Sequence, residues 1–175
     1  GIIKGKMLAE LFQQLCTGYT DSLDFSRDLR IPFACVATDI ITNDEVDFHS
    51  GRLPQAMRAS MAIPAVFTAV RHGNKVLVDG GMRNNYPADV ARQMGADIII
   101  GIDVTTPLRT VDKLNSTIDV VQQLLDVSTK NKYDENVAMT DLHIHVDPKS
   151  YSAASFSRAA IDTLLRWGEE ETMNI

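Results

Sequence analysis

Apolar residues near the start of the chain recur at spacings of three and four. Leu8, Leu11, Phe12 and Leu15 fall on one side of a period of 3.6, so residues 5 to 16 are expected to form a short amphipathic helix packed on a core. A polar loop follows to about residue 30. "PFACVATDI" (32–40) and "EVDFH" (45–49) are β-rich and flank "ITND", whose residue types suit a turn, which predicts a hairpin. "RLPQAMRASM" (52–61) predicts a short helix, because Pro54 is tolerated in a first turn and Ile63 and Pro64 stop it. "AVFTAV" (65–70) and "KVLVD" (75–79) surround "RHGN" and predict a second hairpin-like pair. Pro87, near a first helical position, and Gly95, where a helix end wants a left-handed residue, bracket a helix at 87–94. "ADIIIGIDV" (96–104) has the composition of a strand covered on both faces and completes a β-α-β unit. Leu114, Ile118, Val121 and Leu125, continued by Tyr133 and Val137, mark one face of a longer helix from about 112 toward 139. "DLHIHVD" (141–147) is a further strand. "SFSRAAIDTLLRWGEEE" (155–171) closes the chain as a helix, with Ser155 as the expected cap and Ala159, Leu164, Leu165 and Trp167 as packing residues. Strands interleaved with helices predict an α/β fold with a mainly parallel central sheet flanked by helices, its functional loops at the strand carboxyl ends.

Size and charge narrow the function classes. A length of 175 residues with 45% hydrophobic content suits one packed domain. The formal net charge of -6 leaves no extended basic surface to neutralise phosphates, so nucleic acid is not an expected partner. No stretch approaches the roughly 18 apolar residues of a membrane span, and "GIIKGKMLAE" lacks a signal-peptide layout. Cys16 and Cys35 lie in apolar contexts without metal-ligand spacing and are read as buried free thiols.

The chemistry centres on "VLVDGGMRNNYP" (76–87). Asp and Gly are common turn residues, but Asp79 ends a strand expected to be central, and the loop after such a strand is where α/β enzymes place reacting groups. Gly80 and Gly81 let the backbone take positive φ and let a reacting group come close. A carboxylate held there can accept a proton from a nucleophile about 3 Å away, as a general base.

Together with "MRASMAIPAVFTAV" (57–70) and "IIIGIDV" (98–104), this segment resembles the second half of the patatin-like phospholipase domain of bacterial proteins. The resemblance extends more loosely from "GIIKGKMLAELF" to "YSAASFSRA". It implies a partial three-layer patatin-like fold, with residues 1–175 as one truncated domain. It also implies that Asp79 is the base of a Ser-Asp dyad without histidine, supported by Gly80, Gly81 and Asn85. No Gly-x-Ser-x-Gly occurs in the 175 residues, so the nucleophile and the glycine-rich oxyanion segment are expected upstream of Gly1, and the fragment alone is expected to be inactive. The implied substrate is an acyl lipid or ester, with peripheral membrane contact, no metal and no cofactor. A catalytically silent lipid-binding or assembly module is the alternative, as is an acyltransferase using the same residues. Bacterial relatives include cytoplasmic and outer-membrane-associated forms, which leaves the compartment open. A truncated sheet exposes an edge and apolar surface, so self-association is expected.

Other residues carry plainer readings. Ser60 lacks elbow glycines and is read as a helix-end hydroxyl. His49 and His72 carry no motif, whereas His143 and His145 alternate on one strand and share a face; zinc binding by that pair lacks an evident third ligand, and an exposed or hydrogen-bonded pair is the simpler reading. Asp103 either supports a site or caps the next loop. Asn84 and Asn85 cap the helix at 87 or brace the Asp79 loop. Met57, Met61, Phe67 and Tyr86 either line an acyl pocket or pack in the core.

Overall fold

The computed structural model describes residues 5–64, 66–151 and 155–175, the side chains at 118, 121 and 122 excepted. Residue 65 of the expected strand, residues 1–4 and 152–154 of the terminal stretches, and the stripe positions Ile118 and Val121 as side chains therefore lie outside the described residues. The chain divides into two compact units, Gly1–Ala91 and Arg92–Ile175.

The first unit runs α1 (Lys6–Leu15), β1 (Leu23–Asp24), β2 (Cys35–Asp39), β3 (Asp44–Phe48), β4 (Ser50–Gly51), α2 (Leu53–Ser60), β5 (Val70–His72) and β6 (Lys75–Asp79), then a 3₁₀ turn at Gly80–Met82. Both predicted hairpins form. In the first, Asn43 takes φ 63, a left-handed conformation that Asn tolerates. The Asp39 carboxylate ties that turn together by accepting from the Ile41 amide at 3.1 Å and the Thr42 hydroxyl at 3.2 Å, and it crosses to β6 by accepting from the Val76 amide at 3.1 Å. Gly73, with φ 59, closes the second hairpin. Its first strand lies later than expected, at Val70–His72.

These strands form one sheet of order β3-β2-β6-β5, antiparallel at every pairing, where a mainly parallel sheet is expected from the sequence. The cause is connection length: a parallel pair needs a crossover of a dozen or more residues, whereas β2–β3 and β5–β6 are joined by tight turns. The polar loop also hides a two-residue strand, Leu23–Asp24, which pairs with Ser50–Gly51. The core lies between α2 and this sheet, where Phe25, Ala37, Ala56, Ala59 and Leu77 are almost fully buried. Burying a side chain such as Phe25 or Leu77 contributes about 1.5–3 kcal/mol. Helix α1 has the expected bounds, but none of its residues beyond the cap is buried, and Leu11 and Leu15 on its stripe are exposed. Cys16 and Cys35 are free and half-buried; burial and the nearby Asp47 charge push the Cys35 thiol up to about 12, which keeps it protonated.

Helix α3 (Ala88–Gln93) ends before Gly95, which takes φ 92 as expected. The second unit holds β7 (Ile100–Asp103), a 3₁₀ turn at Val111–Lys113, α4 (Thr117–Ala138), β8 (Leu142–His145) and α5 (Arg158–Met173). Strands β7 and β8 pair in parallel with α4 between them, so a β-α-β unit exists one step later in the chain than expected. β6 and β7 belong to different sheets. Helix α4 starts at a capping box in which the Ser116 hydroxyl accepts from the Asp119 amide at 3.1 Å and the Asp119 carboxylate accepts from the Ser116 amide at 2.9 Å. The cap of α5 is Ser157, not Ser155, and its buried residue is Ala160, with Leu164 and Trp167 half-buried and Ala159 and Leu165 exposed. The run 98–104 is not covered on both faces. Ile99 and Asp103 are buried, while Ile98, Ile100, Ile102 and Val104 remain 61–73% exposed.

Candidate functional site

Asp79 is the last residue of β6, opposite Ala37 of β2, and its amide donates to the Ala62 carbonyl at 3.1 Å. Its carboxylate is half-buried. Oδ1 accepts the Gly81 amide at 2.8 Å. Among the described residues Oδ2 has no donor. Burial pushes the Asp79 carboxyl above the usual carboxylate range, and the Gly81 hydrogen bond opposes that shift without cancelling it. A carboxylate raised by burial is a better proton acceptor than a fully solvated one.

The two glycines act differently from expectation. Neither takes positive φ. A Cβ on Gly80 would lie 2.3 Å from the Val36 carbonyl oxygen, so Gly80 exists to let the turn press against the β2 backbone. A Cβ on Gly81 would lie 2.6 Å from Asn85 Oδ1 and 3.0 Å from Asp79 Oδ1. The Asn85 amide and the Asp79 carboxylate thus reach over the same bare backbone position. Asn85 is exposed.

Asn84 is buried and braces the loop. Its amide donates to the Gly80 carbonyl at 2.8 Å, and its side-chain Nδ2 donates to Glu45 Oε1 at 2.6 Å on β3 and to Asp89 Oδ1 at 2.9 Å in the first turn of α3. Glu45 and Val36, both supports of the turn, carry no sequence signal because sheet pairing alone brings them there. Met57 packs against the core, Phe67 lies under the Arg58 guanidinium at 5.2 Å, and Tyr86 is buried, so packing accounts for these three. Met61 and Ser60 are half-buried at the end of α2, and His49 is half-buried; His72 is exposed and meets the Phe48 ring edge-on at 5.7 Å.

A second polar cluster lies in the other unit. Asp103 is buried, and its Oδ1 accepts the Thr105 amide at 2.8 Å, the capping role read from the sequence. Its Oδ2 accepts from the Tyr133 hydroxyl at 2.5 Å and lies 2.9 Å from His145 Nδ1 and 3.5 Å from His143 Nε2. Burial pushes this carboxyl up, but the bonds from Tyr133, Thr105 and His145 outweigh it and hold the group below its ordinary range. The paired histidines share a face as expected, with ring centroids 6.3 Å apart.

No helix among the described residues is long and apolar enough to cross a membrane. Known proteins match part of the chain. An uncharacterized NTE family protein of Mycobacterium tuberculosis is 43% identical over 58 residues, 33% of this chain and 10% of the relative. A second one from the same organism is 32% identical over 110 residues, 57% of this chain and 31% of the relative. Patatin-like phospholipase domain-containing protein 7 of Rattus norvegicus is 40% identical over 80 residues, 44% of this chain and 6% of the relative. The chain thus spans less than a third of the length of these relatives. Residues 1–92, which include β6 and the turn from Asp79 to Asn85, match the family described as patatin-like phospholipase. With more than half of its 175 residues in that match, the chain belongs to the patatin-like phospholipase family.

Proposed function

We propose that these residues are part of a serine-type lipid acyl hydrolase, a phospholipase or esterase, in which Asp79 is the general base of a Ser-Asp dyad. Membership in a lipid hydrolase family supports the reaction class. The observation that carries the residue assignment is the half-buried carboxylate raised by burial, with Oδ1 held by Gly81 and Oδ2 unengaged among the described residues. The nucleophile serine is assigned to a segment outside these 175 residues, and both units are taken as parts of one truncated domain of the three-layer patatin-like type.

In this mechanism Asp79 Oδ2 takes the hydroxyl proton as the serine oxygen bonds to the ester carbonyl carbon, and backbone amides stabilise the oxyanion. The C–O bond to the alcohol breaks, the alcohol leaves with the proton, and water then cleaves the acyl-serine to release the fatty acid. Asn85 and Asn84 keep the carboxylate in register, the first beside it over Gly81 and the second by bridging Glu45 and Asp89. The test is hydrolysis of a chromogenic short-chain ester by the complete protein and its Asp79→Asn variant. Unchanged hydrolysis removes Asp79 as base.

Self-association of the 175-residue chain belongs to the same reading. It is supported by the exposed apolar rows on α1 (Met7, Leu11, Leu15) and around β7 (Ile98, Ile100, Ile102, Val104). Light scattering of the purified chain is expected to report a mass above 19.3 kDa that rises with concentration. A monomer at every concentration would contradict it.

A further inference from the structure

We propose that the unit Arg92–Ile175 binds a divalent transition-metal ion, of which Zn²⁺ is the example, through Asp103, His143 and His145. This inference is independent of the proposed hydrolase mechanism. From sequence, the histidine pair lacks a third ligand; parallel pairing of β7 with β8 supplies it from a position forty residues upstream, by setting Asp103 opposite His145 and Gly101 opposite His143. Gly101 has no side chain to stand between the His143 ring and the Asp103 carboxylate.

One ligand atom from each residue, a carboxylate oxygen and two imidazole nitrogens, lies within 4.8 Å of the other two. Zinc bonds of about 2.0–2.1 Å at tetrahedral angles place ligand atoms about 3.3 Å apart. The observed separations of 2.9 Å and 3.5 Å from Asp103 Oδ2 to the two histidines bracket that value. Small side-chain rotations are enough to seat an ion. A carboxylate with two imidazoles is also the donor set that suits zinc and its neighbours rather than calcium or magnesium.

The surroundings resemble the support a metal ligand needs. Asp103 Oδ1 is fixed by the Thr105 amide, and Tyr133 donates to Oδ2, which keeps a second lone pair for the ion. The histidine side chains are 30% and 40% exposed, whereas the His143 Nε2 atom and the Asp103 carboxylate are buried, so an ion enters by rotation of the two partly exposed rings. Binding replaces the His145 contact to Asp103 with two metal bonds, and each imidazole must then present a lone pair at its ligating nitrogen and carry its N–H on the other ring nitrogen. The ion would clip β7 to β8 beside Tyr133 of α4.

The test uses the full chain without a histidine tag, stripped by chelator and titrated first with Co²⁺ and then with Zn²⁺. The expected results are visible d–d absorption from cobalt in a four-coordinate site, saturation at one ion per chain, displacement by Zn²⁺, and a melting temperature that rises with free Zn²⁺. His143→Gln is the main variant, because it removes a half-exposed ligand and leaves the bonds of Asp103 to Tyr133, Thr105 and His145 in place. It is expected to weaken binding by about 10–100-fold or more, as is His145→Gln, while His49→Gln in the other unit leaves binding unchanged. Circular dichroism confirms that the variants fold. Absence of the cobalt bands, or an affinity that both His143→Gln and His145→Gln leave unaltered, overturns the site and leaves the cluster as a hydrogen-bonded network only.

Discussion

Asp79→Asn in the complete protein is expected to lower ester hydrolysis by about 10²–10⁴-fold, the range typical for loss of a general base, while raising the melting temperature at pH 7. The two effects have one cause. Burial makes the ionised carboxylate costly, so the folded group titrates above the unfolded one. The native state then binds more protons across that interval, and stability falls as pH rises from the unfolded value through the folded one; above both, the full penalty is present. Asparagine carries no such penalty, and its Oδ1 still accepts the Gly81 amide. The difference in melting temperature between variant and wild type is therefore expected to be largest near neutrality and to vanish at pH values low enough to protonate Asp79. Scanning calorimetry from pH 3 to 8, beside the ester assay, reads both. A variant that loses activity together with stability would point to a structural carboxylate.

Gly80→Ala is expected to be the most destabilising single change in the turn. Its Cβ would sit 2.3 Å from the Val36 carbonyl oxygen and 2.6 Å from the carbonyl carbon. Those are backbone atoms of a strand paired on both sides, so they cannot step aside. Overpacking of this kind costs on the order of 3 kcal/mol, which for a chain of this length corresponds to a fall in melting temperature of roughly 6–12 °C. Gly81→Ala makes a useful contrast. Its clash is with the ends of two side chains, and the exposed Asn85 can swing away, so the fold survives; the Asp79 carboxylate must also shift, so activity falls. Thermal melts together with the ester assay separate the two glycines, and equal melting temperatures for the two variants would show that the Val36 contact is slack.

Local signals carried most of the elements. Turn chemistry at "ITND" and "RHGN" placed both hairpins, and Pro54, Pro87 and Gly95 placed three helix boundaries, because such residues act through their own backbone geometry. Strand direction was not legible, since hydrophobic runs record burial rather than pairing, and the helix between β6 and β7 suggested a parallel crossover that the sheets do not make. The covered appearance of 96–104 failed for the same reason: seven apolar or small residues in nine positions do not reveal which alternate face lacks a neighbour. Around Asp79 the turn was readable and its cause was not. The glycines answer to the Val36 backbone and the Asn85 amide, contacts that exist only once the strands are paired. Asp103 and its histidines are the same case at longer range, because the register of β7 on β8 decides that they meet.

The central place of β6 bears on motion. Leu77 is paired to both Asp39 and Val70, and the Val76 amide and carbonyl are both engaged toward β2. A strand bonded along both edges exchanges its amide hydrogens only when much of the surrounding unit opens, whereas the segment after it opens more cheaply. The Asp79 carboxyl is therefore carried on a stiff post with a softer collar, so thermal fluctuation alters what approaches the carboxylate far more than where the carboxylate stands.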